Sequence, residues 1–418
     1  MLGSAKIACL GMVLAIASMH PAIACDVGAR GVHDASSHLF QSSASPESSG
    51  FETVIPISVE SGEVIVDVTI NDRGPFPMMF DTGSVEAVSP EAAAALGLEV
   101  EGSATARGSG EGTVPIAFTR VLKMRLGNAQ WLDQAVPVLP LPRFLTDRGS
   151  RPPLAGFVGR ELLARFAVRL DYEARTMTLA PAQEFRYRGI GTCVPLAFDD
   201  EIPVASAAAD GLAGRFEIDT GSTGALVLRH RFVEQHGFAV RHPSVLSIKS
   251  GGIDGVFETI VTRLDGFSIA NAELDRPVAE FSSSGKSGLP GTDVDGSIGS
   301  QILRQFVITF DYSRDELWFE RSAAFGTPTM QWKTGFQAVK ADAPGFHVVT
   351  VFPNSPAAAA GIRVGDIIVG VDGLPAESIG QAEFTDLMRR PDGTLVNLSI
   401  VRDGTTRPAA LILKELLP

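Results

Sequence analysis

The chain repeats itself, and that repeat limits its fold more than any other feature. Phe80-Asp81-Thr82-Gly83-Ser84 returns 138 residues later as Ile218-Asp219-Thr220-Gly221-Ser222. A second pair of segments keeps step with the first. Gly159-Arg-Glu-Leu-Leu-Ala-Arg-Phe-Ala-Val-Arg-Leu-Asp-Tyr172 aligns without gaps on Gly299-Ser-Gln-Ile-Leu-Arg-Gln-Phe-Val-Ile-Thr-Phe-Asp-Tyr312. From motif Asp to landmark Gly the spacing is 78 residues in one copy (81 to 159) and 80 in the other (219 to 299). Two landmarks at matched spacing signify a tandem duplication. Its copies span residues 53–190 and 191–325, called repeat A and repeat B below.

Both copies read as strands. Glu63-Val-Ile-Val-Asp-Val-Thr-Ile70 alternates apolar with polar residues and is rich in β-branched side chains, with Gly and Pro punctuating the runs. The expected fold is mainly β, a tandem pair of β-barrels. Each repeat also carries a Gly-rich stretch about 30 residues past its motif, Arg107-Gly-Ser-Gly-Glu-Gly112 and Ser250-Gly-Gly-Ile-Asp-Gly255. Lying between strand-like segments, these read as hairpin tips.

Outside the duplication the chain changes character. Residues 1–24 hold one basic residue, Lys6, an apolar run from Ile7 to Ser18 and the small-residue end Ala22-Ile23-Ala24, as an export signal does. Residues 25–52 form a Ser-rich leader. Cys25 would become the first mature residue. It leaves three alternatives open: lipid attachment, plain soluble export, or a disulfide to Cys193, which export would permit. A membrane partner is expected only with a lipid on Cys25. Three Cys in 418 residues exclude a disulfide scaffold, and a net charge of −13 gives no electrostatic reason for a nucleic-acid partner.

Residues 330–418 read as an α+β module. A strand runs from Phe346 to Phe352. A short helix follows, capped by Ser355, opened by Pro356 and ended by Gly361. Then come a strand over 364–371, a helix over 378–389 and a last strand over 395–402.

The chemistry rests on the two motif turns. A lone Asp-Thr-Gly is an ordinary capped turn. Two on a duplicated scaffold can meet face to face on a pseudo-two-fold axis. Two carboxylates held close cannot both ionise cheaply, so one pKa rises and the pair shares a proton. The charged partner then serves as general base for water and the protonated one as acid toward a carbonyl oxygen, with neither metal nor cofactor.

These motifs, with Phe157-Val158-Gly159 and Ser297-Ile298-Gly299, resemble the retropepsin-type aspartic proteases, here fused in one chain as in pepsin-like enzymes. The resemblance covers roughly 270 residues. It implies Asp81 and Asp219 as a catalytic dyad and Thr82 and Thr220 bonded across the axis. Gly83 and Gly221 would turn their N–H groups on the carboxylates, and the Ser84 and Ser222 hydroxyls would bond the outer carboxylate oxygens. The landmark segment would thread behind each turn, followed by short helices from Arg160 to Arg165 and from Ser300 to Gln305. A pepsin-type flap Tyr is missing: the three Tyr are Tyr172, Tyr187 and Tyr312. Gly108, Ser109, Gly110, Gly251 and Gly252 are therefore the flap candidates, one hairpin from each repeat as in the symmetric retroviral-type dimers. The resemblance implies an aspartic-type endopeptidase acting on polypeptide substrate as a monomer with an internal pseudo-dimer. The other reading is an envelope adaptor that binds peptides without cutting them.

Ser355-Pro356-Ala357 to Gly361, with Val364-Gly365-Asp366-Ile367-Ile368, resembles the PDZ domains of bacterial envelope proteases. Such a domain adds a peptide tail as a strand, its carboxylate held by backbone N–H groups. Gly335 and Phe336 are the candidate carboxylate loop, with Gly345-Phe346 the competing choice. The expected location is a bacterial periplasm or cell envelope. His230, His236 and His242, six residues apart, share no helix face and read as surface positions without a metal. Gly285-Lys286-Ser287 lacks the first Gly of a phosphate loop, since Glu280 stands there.

Overall fold

The protein's structure, a computed structural model, describes residues 52–108, 112–199, 201–242, 246–282, 293–329, 332–340 and 344–417. The expected signal, the Ser-rich leader with Cys25, flap candidates Ser109 and Gly110, and Lys286 all lie outside these residues. No helix among the described residues is long and apolar enough to cross a membrane.

The fold is mainly β. Repeat A builds an eight-stranded sheet and repeat B a ten-stranded one. Alternation explains how each is buried. In the strand Glu63–Ile70, Val64, Val66, Val68 and Ile70 point into the main core while Asp67 is exposed. Ile65 faces the other way yet is also buried, in a smaller cluster with Met79, Ala106, Ile116 and Phe157. Each fully buried aliphatic or aromatic side chain is worth roughly 1.5–3 kcal/mol, so these paired faces fix the register of the strand.

A six-stranded sheet joins the repeats. At its centre Phe166–Asp171 of repeat A runs antiparallel to Phe306–Asp311 of repeat B. Arg169 pairs directly with Thr309, and these two are equivalent positions in the duplicated sequence. A strand pairs with its own copy at the same residue only across a two-fold axis. The duplication is therefore a pseudo-two-fold in space, and the axis passes through this pair.

Residues from Trp332 onward form a separate sheet with its own core of Phe336, Phe346, Ile368, Phe384 and Leu398. Ser355 caps the helix Pro356–Ala359 by accepting the Ala358 N–H at 3.2 Å, and Gly361 leaves it at φ 72°. The second helix is Gln381–Leu387. Three strands were not expected from the sequence, one of them the two-residue Leu374–Pro375. Phe336–Lys340 is the edge of the sheet, and Thr405–Ile412 follows Leu395–Arg402, which is therefore not the last strand. Pro408 weakened the second as a strand signal. Proline is tolerated where its missing N–H faces away from the ladder, and at the sheet edge it pairs with Ser399.

This module sits on both repeats. Lys340, almost wholly buried, places its Nζ 2.9 Å from Asp147 Oδ1 of repeat A. The Ser61 N–H donates to Asp386 Oδ2 at 3.3 Å, and Arg389 donates to Ser61 Oγ at 3.0 Å. On repeat B, the Gln337 side-chain amide pairs with Lys249, donating to its carbonyl and accepting its N–H, both at 2.9 Å.

Candidate active site

Each motif turn follows a strand that ends on the axis, Arg73–Phe80 in repeat A and Leu212–Ile218 in repeat B. Beside each runs its landmark strand in parallel, Phe80 opposite Val158 and Ile218 opposite Ile298. The Asp81 N–H donates to Val158 O and the Asp219 N–H to Ile298 O, each at 3.0 Å. The landmark glycines stand where only glycine fits. A Cβ on Gly159 would lie 2.0 Å from Asp81 O, and one on Gly299 would lie 2.5 Å from Gly224 O. The helices that follow are four residues each, Arg160–Leu163 and Ser300–Leu303, shorter than expected.

The threonines lock the turns to one another. The Thr82 N–H donates to Thr220 Oγ1 at 3.0 Å, and the Thr220 N–H donates to Thr82 Oγ1 at 3.1 Å. Each hydroxyl then donates to the opposite strand's last carbonyl, Thr82 to Ile218 O at 2.5 Å and Thr220 to Phe80 O at 3.0 Å. Both threonines are buried, so all four bonds are out of water.

This lock sets the two carboxyls side by side. A Cβ on Gly221 would stand 2.5 Å from Asp81 Cγ, and one on Gly83 would stand 4.0 Å from Asp219 Oδ1. The Gly83 N–H donates to Asp81 Oδ1 at 2.8 Å. Asp219 Oδ1 accepts two main-chain donors, Gly221 at 3.0 Å and Ser222 at 3.1 Å. Burial holds both carboxyls above the ordinary carboxylate range, and for Asp219 the Asp81 charge adds to it. The N–H bonds pull the other way. The serine hydroxyls do not take the role expected of them. Ser84 Oγ donates to the Val85 carbonyl at 2.9 Å, and Ser222 Oγ accepts the Gly224 N–H at 3.4 Å. Short hydroxyl side chains in turns readily bond adjacent backbone instead.

The dyad opens on a cavity of about 610 Å³. Gly108 of one hairpin and Gly251 and Gly252 of the other line it. The tips also touch: a Cβ on Gly108 would meet Ile253 Cγ1 at 2.6 Å, and one on Gly112 would meet Asp254 O at 2.2 Å. Ile253 of repeat B packs into the small core of repeat A that holds Ala106 and Val114.

Phe336 lies apart from the dyad in sequence but lines the same cavity, beside Phe384; Gly335 precedes it and is not part of the lining. Gly335 has φ +79°, and Ser355 Cβ stands 2.1 Å from where its Cβ would be. Phe346, by contrast, begins a strand flanked by Phe336–Lys340 and Ile367–Val371, so no edge is free beside the competing Gly345-Phe346.

Several residues of the site left no mark in the sequence. Glu63 lines the cavity and is pushed up to about 8 by burial among Glu60, Asp81 and Asp386. Thr385, Met388 and Arg389 reach it from the C-terminal module, more than 300 positions from Asp81. His242 is buried rather than at the surface, with Nε2 2.5 Å from Asp210 Oδ2. His230 and His236 are half-buried. Asp210, His242 and Asp265 bring ligand-type atoms within 4.8 Å of one another, but Asp210 Oδ1 is already held by the N–H groups of Asp265 and Gly266. Cys193 is disulfide-bonded, and the chain's other cysteines, Cys9 and Cys25, lie outside the described residues.

Residues 66–161 match the aspartyl protease family model, and residues 347–402 match a PDZ domain. The chain joins an aspartyl protease region to a PDZ domain. It is 37% identical over 87 residues to the magnetosome formation protease MamE of Magnetospirillum gryphiswaldense. That stretch is 21% of this chain and 11% of the relative, so the chain spans about a tenth of that protein's length. Among solved structures it is similar to the aspartic proteinase from Irpex lacteus, at 12% identity and a TM-score of 0.41, over 66% of this chain and 99% of that one. The aspartyl protease match falls within repeat A; repeat B is tied to it by the paired landmarks and the threonine lock.

Proposed function

We propose that the chain is an exported aspartic endopeptidase. The observation that carries this reading is the reciprocal Thr82–Thr220 lock, which sets Asp81 and Asp219 side by side in a shared cavity. In this reading one proton is shared between the two carboxyls. The ionised partner takes a proton from water as the water oxygen attacks the scissile carbonyl carbon. The protonated partner donates to the carbonyl oxygen, giving a tetrahedral intermediate. Collapse breaks the C–N bond, and the leaving amine takes a proton from the dyad. Gly83, Gly221 and Ser222 N–H groups orient the carboxylates. A pure peptide-binding adaptor has no need of two neighbouring carboxyls drawn out of water, which cost stability when ionised.

Export is supported by the signal-like residues 1–24 and by the disulfide at Cys193, since disulfides persist in oxidising compartments. The periplasm or cell envelope fits both. The Gly335-Phe336 loop, which leads into the edge strand Phe336–Lys340, is proposed as the carboxylate loop of the PDZ domain, taking a C-terminal peptide. The test is proteome-wide cleavage profiling of the wild type against Asp81→Asn. New termini produced only by the wild type are expected; identical terminomes would refute the proposal.

A further inference from the structure

Behind the motif turn of repeat A lies a second carboxyl pair, which the proposed chemistry does not use. Glu86 leads from that turn into the short strand Ala87–Val88, which pairs with the landmark strand. Glu86 is 2% exposed, and neither of its carboxyl oxygens has a hydrogen-bond partner among the described residues. An ionised carboxylate enclosed in this way is very costly. The Glu161 carboxyl lies against it. Two carboxyls in contact repel when both are ionised and bond when one of them carries a proton.

The surroundings decide where that proton sits. Glu161 Oε2 accepts the Glu86 N–H at 2.9 Å, Oε1 accepts Arg160 Nη2 at 3.4 Å, and the side chain is a quarter exposed. These bonds and the access to water favour the charge on Glu161, and the carboxyl of Glu86 has neither. Besides Glu161, the charged groups that act on Glu86 are Arg160 and Arg165. Arg160 pairs with Glu201 of repeat B, and Arg165 donates to the Glu161 carbonyl at 2.7 Å and to Gln134 Oε1 at 3.3 Å. Burial and the Glu161 charge accordingly hold Glu86 well above the ordinary carboxylate range.

Repeat B makes the equivalent tie without a proton. The Ser300 N–H donates to Ser222 O at 2.8 Å, as the Arg160 N–H donates to Ser84 O at 3.0 Å. One residue on, Gln301 donates its main-chain N–H to Gly224 O at 3.1 Å and its Nε2 to Thr223 O at 2.9 Å. An amide side chain carries its own donor at every pH. In repeat A the side chain that reaches across is an acceptor, Glu161, and the donor it needs is the Glu86 proton.

We infer that Glu86 and Glu161 share one proton, and that this carboxyl–carboxylate bond is a positioning device that holds the segment past Asp81 against the helix Arg160–Leu163 and so keeps the Asp81 turn in place opposite Asp219. Neither residue lines the cavity, so both act through the turn and not on substrate. The effect on rate rests on the peptidase reading above; the shared proton does not. Loss of the proton sets two charges face to face out of water, so the tie weakens as pH rises through the range in which Glu86 gives it up.

The experiment takes infrared difference spectra of the full chain at pH 7, wild type minus Glu86→Gln. A carbonyl-stretch band of a protonated, hydrogen-bonded carboxyl is expected in the wild type alone. Glu161→Ala removes the acceptor and should move that band to the higher frequency of an unbonded carboxyl; it serves equally if Glu86→Gln does not fold. The variants are then assayed on a dye-quenched unfolded protein. Glu86→Leu, which fills the space but has no donor, should lower kcat about tenfold with KM unchanged, the value of one charge-assisted hydrogen bond. Glu86→Gln, whose amide can donate to Glu161, should lower it by less than about threefold. No such band, a band that Glu161→Ala leaves in place, or equal kcat for the Gln and Leu variants would overturn this inference and leave the peptidase reading standing. No cleavage of any unfolded protein by the wild type would overturn that reading, and the band would still decide the shared proton.

Discussion

The two repeats are alike where they position the motif aspartates and unlike almost everywhere else around them. The threonine lock closes at 3.0 Å in one direction and 3.1 Å in the other, and both Asp N–H groups reach their landmark carbonyl at 3.0 Å. Behind the turns the copies part. Repeat A buries Glu86 beside Glu161, and burial with the Glu161 charge holds Glu86 well above the ordinary range. Repeat B has Gly224 and Gln301 at those positions, with Gln301 Nε2 donating to Thr223 O at 2.9 Å. Glu63 and Glu201 each sit 18 residues before their motif Asp (63 to 81, 201 to 219), Glu63 opening its strand and Glu201 immediately preceding the corresponding strand Ile202–Ala209. Glu63 is enclosed with the PDZ domain's Asp386 nearby, whereas Glu201 is exposed and paired with Arg160. Symmetry is thus kept for the geometry of the carboxyl pair. Asymmetry enters on the side where the PDZ domain closes the cleft.

If the pair works as one unit, Asp81→Asn and Asp219→Asn should be equally damaging. Each is expected to lower kcat/KM about a thousandfold or more with circular dichroism unchanged. A loss confined to one variant would break the equivalence. The lock should be symmetric in stability as well. Thr82→Ala or Thr220→Ala each strands a buried N–H and a buried carbonyl, at a cost of about 2–4 kcal/mol in chemical denaturation. The double variant should cost clearly less than the sum, because both singles break the same network.

The acidic pair tests the asymmetric side. A folded-state value of about 8 means that native Glu63 holds its proton where the unfolded chain has lost it. Stability therefore falls as pH rises from about 4 to about 8. Glu63→Gln should raise stability by about 2 kcal/mol at pH 8 and change little at pH 4. Glu201→Gln, at an exposed site, should stay within about 0.5 kcal/mol at either pH. A modest effect on binding belongs to the hairpin tips. Ile253→Asp puts a charge into the small core of repeat A and should part the tips, raising KM several-fold, by about 1 kcal/mol, with little change in kcat.

What the sequence disclosed was whatever is encoded locally or by repetition. Asp81 and Asp219 stood out because the duplication marked them, and their meeting followed from the symmetry it implied. The cap, first proline and terminal Gly361 of the helix Pro356–Ala359 were legible because each residue acts within four positions of the next. The serine hydroxyls were misjudged because a short hydroxyl chooses between near-equivalent acceptors, a choice settled by local backbone geometry. Most hidden were contacts between distant segments. Neither Ile253 against Ala106 nor Arg389 against Ser61 leaves a periodic trace, since a single residue at an interface has no pattern to repeat. His242 looked like a surface residue for the same reason, its partner Asp210 lying 32 positions away.

Two carboxyls sharing one proton are the core of the proposed chemistry, and the pH dependence of kcat/KM reads that directly. Burial and mutual charge raise both, so the form with a single proton should persist to higher pH than isolated carboxyls near 4 would allow. The predicted result is a bell whose two limbs both lie above about pH 4 and whose signal vanishes in either Asn variant. A single-limbed profile, or a bell that survives in Asp219→Asn, would contradict it.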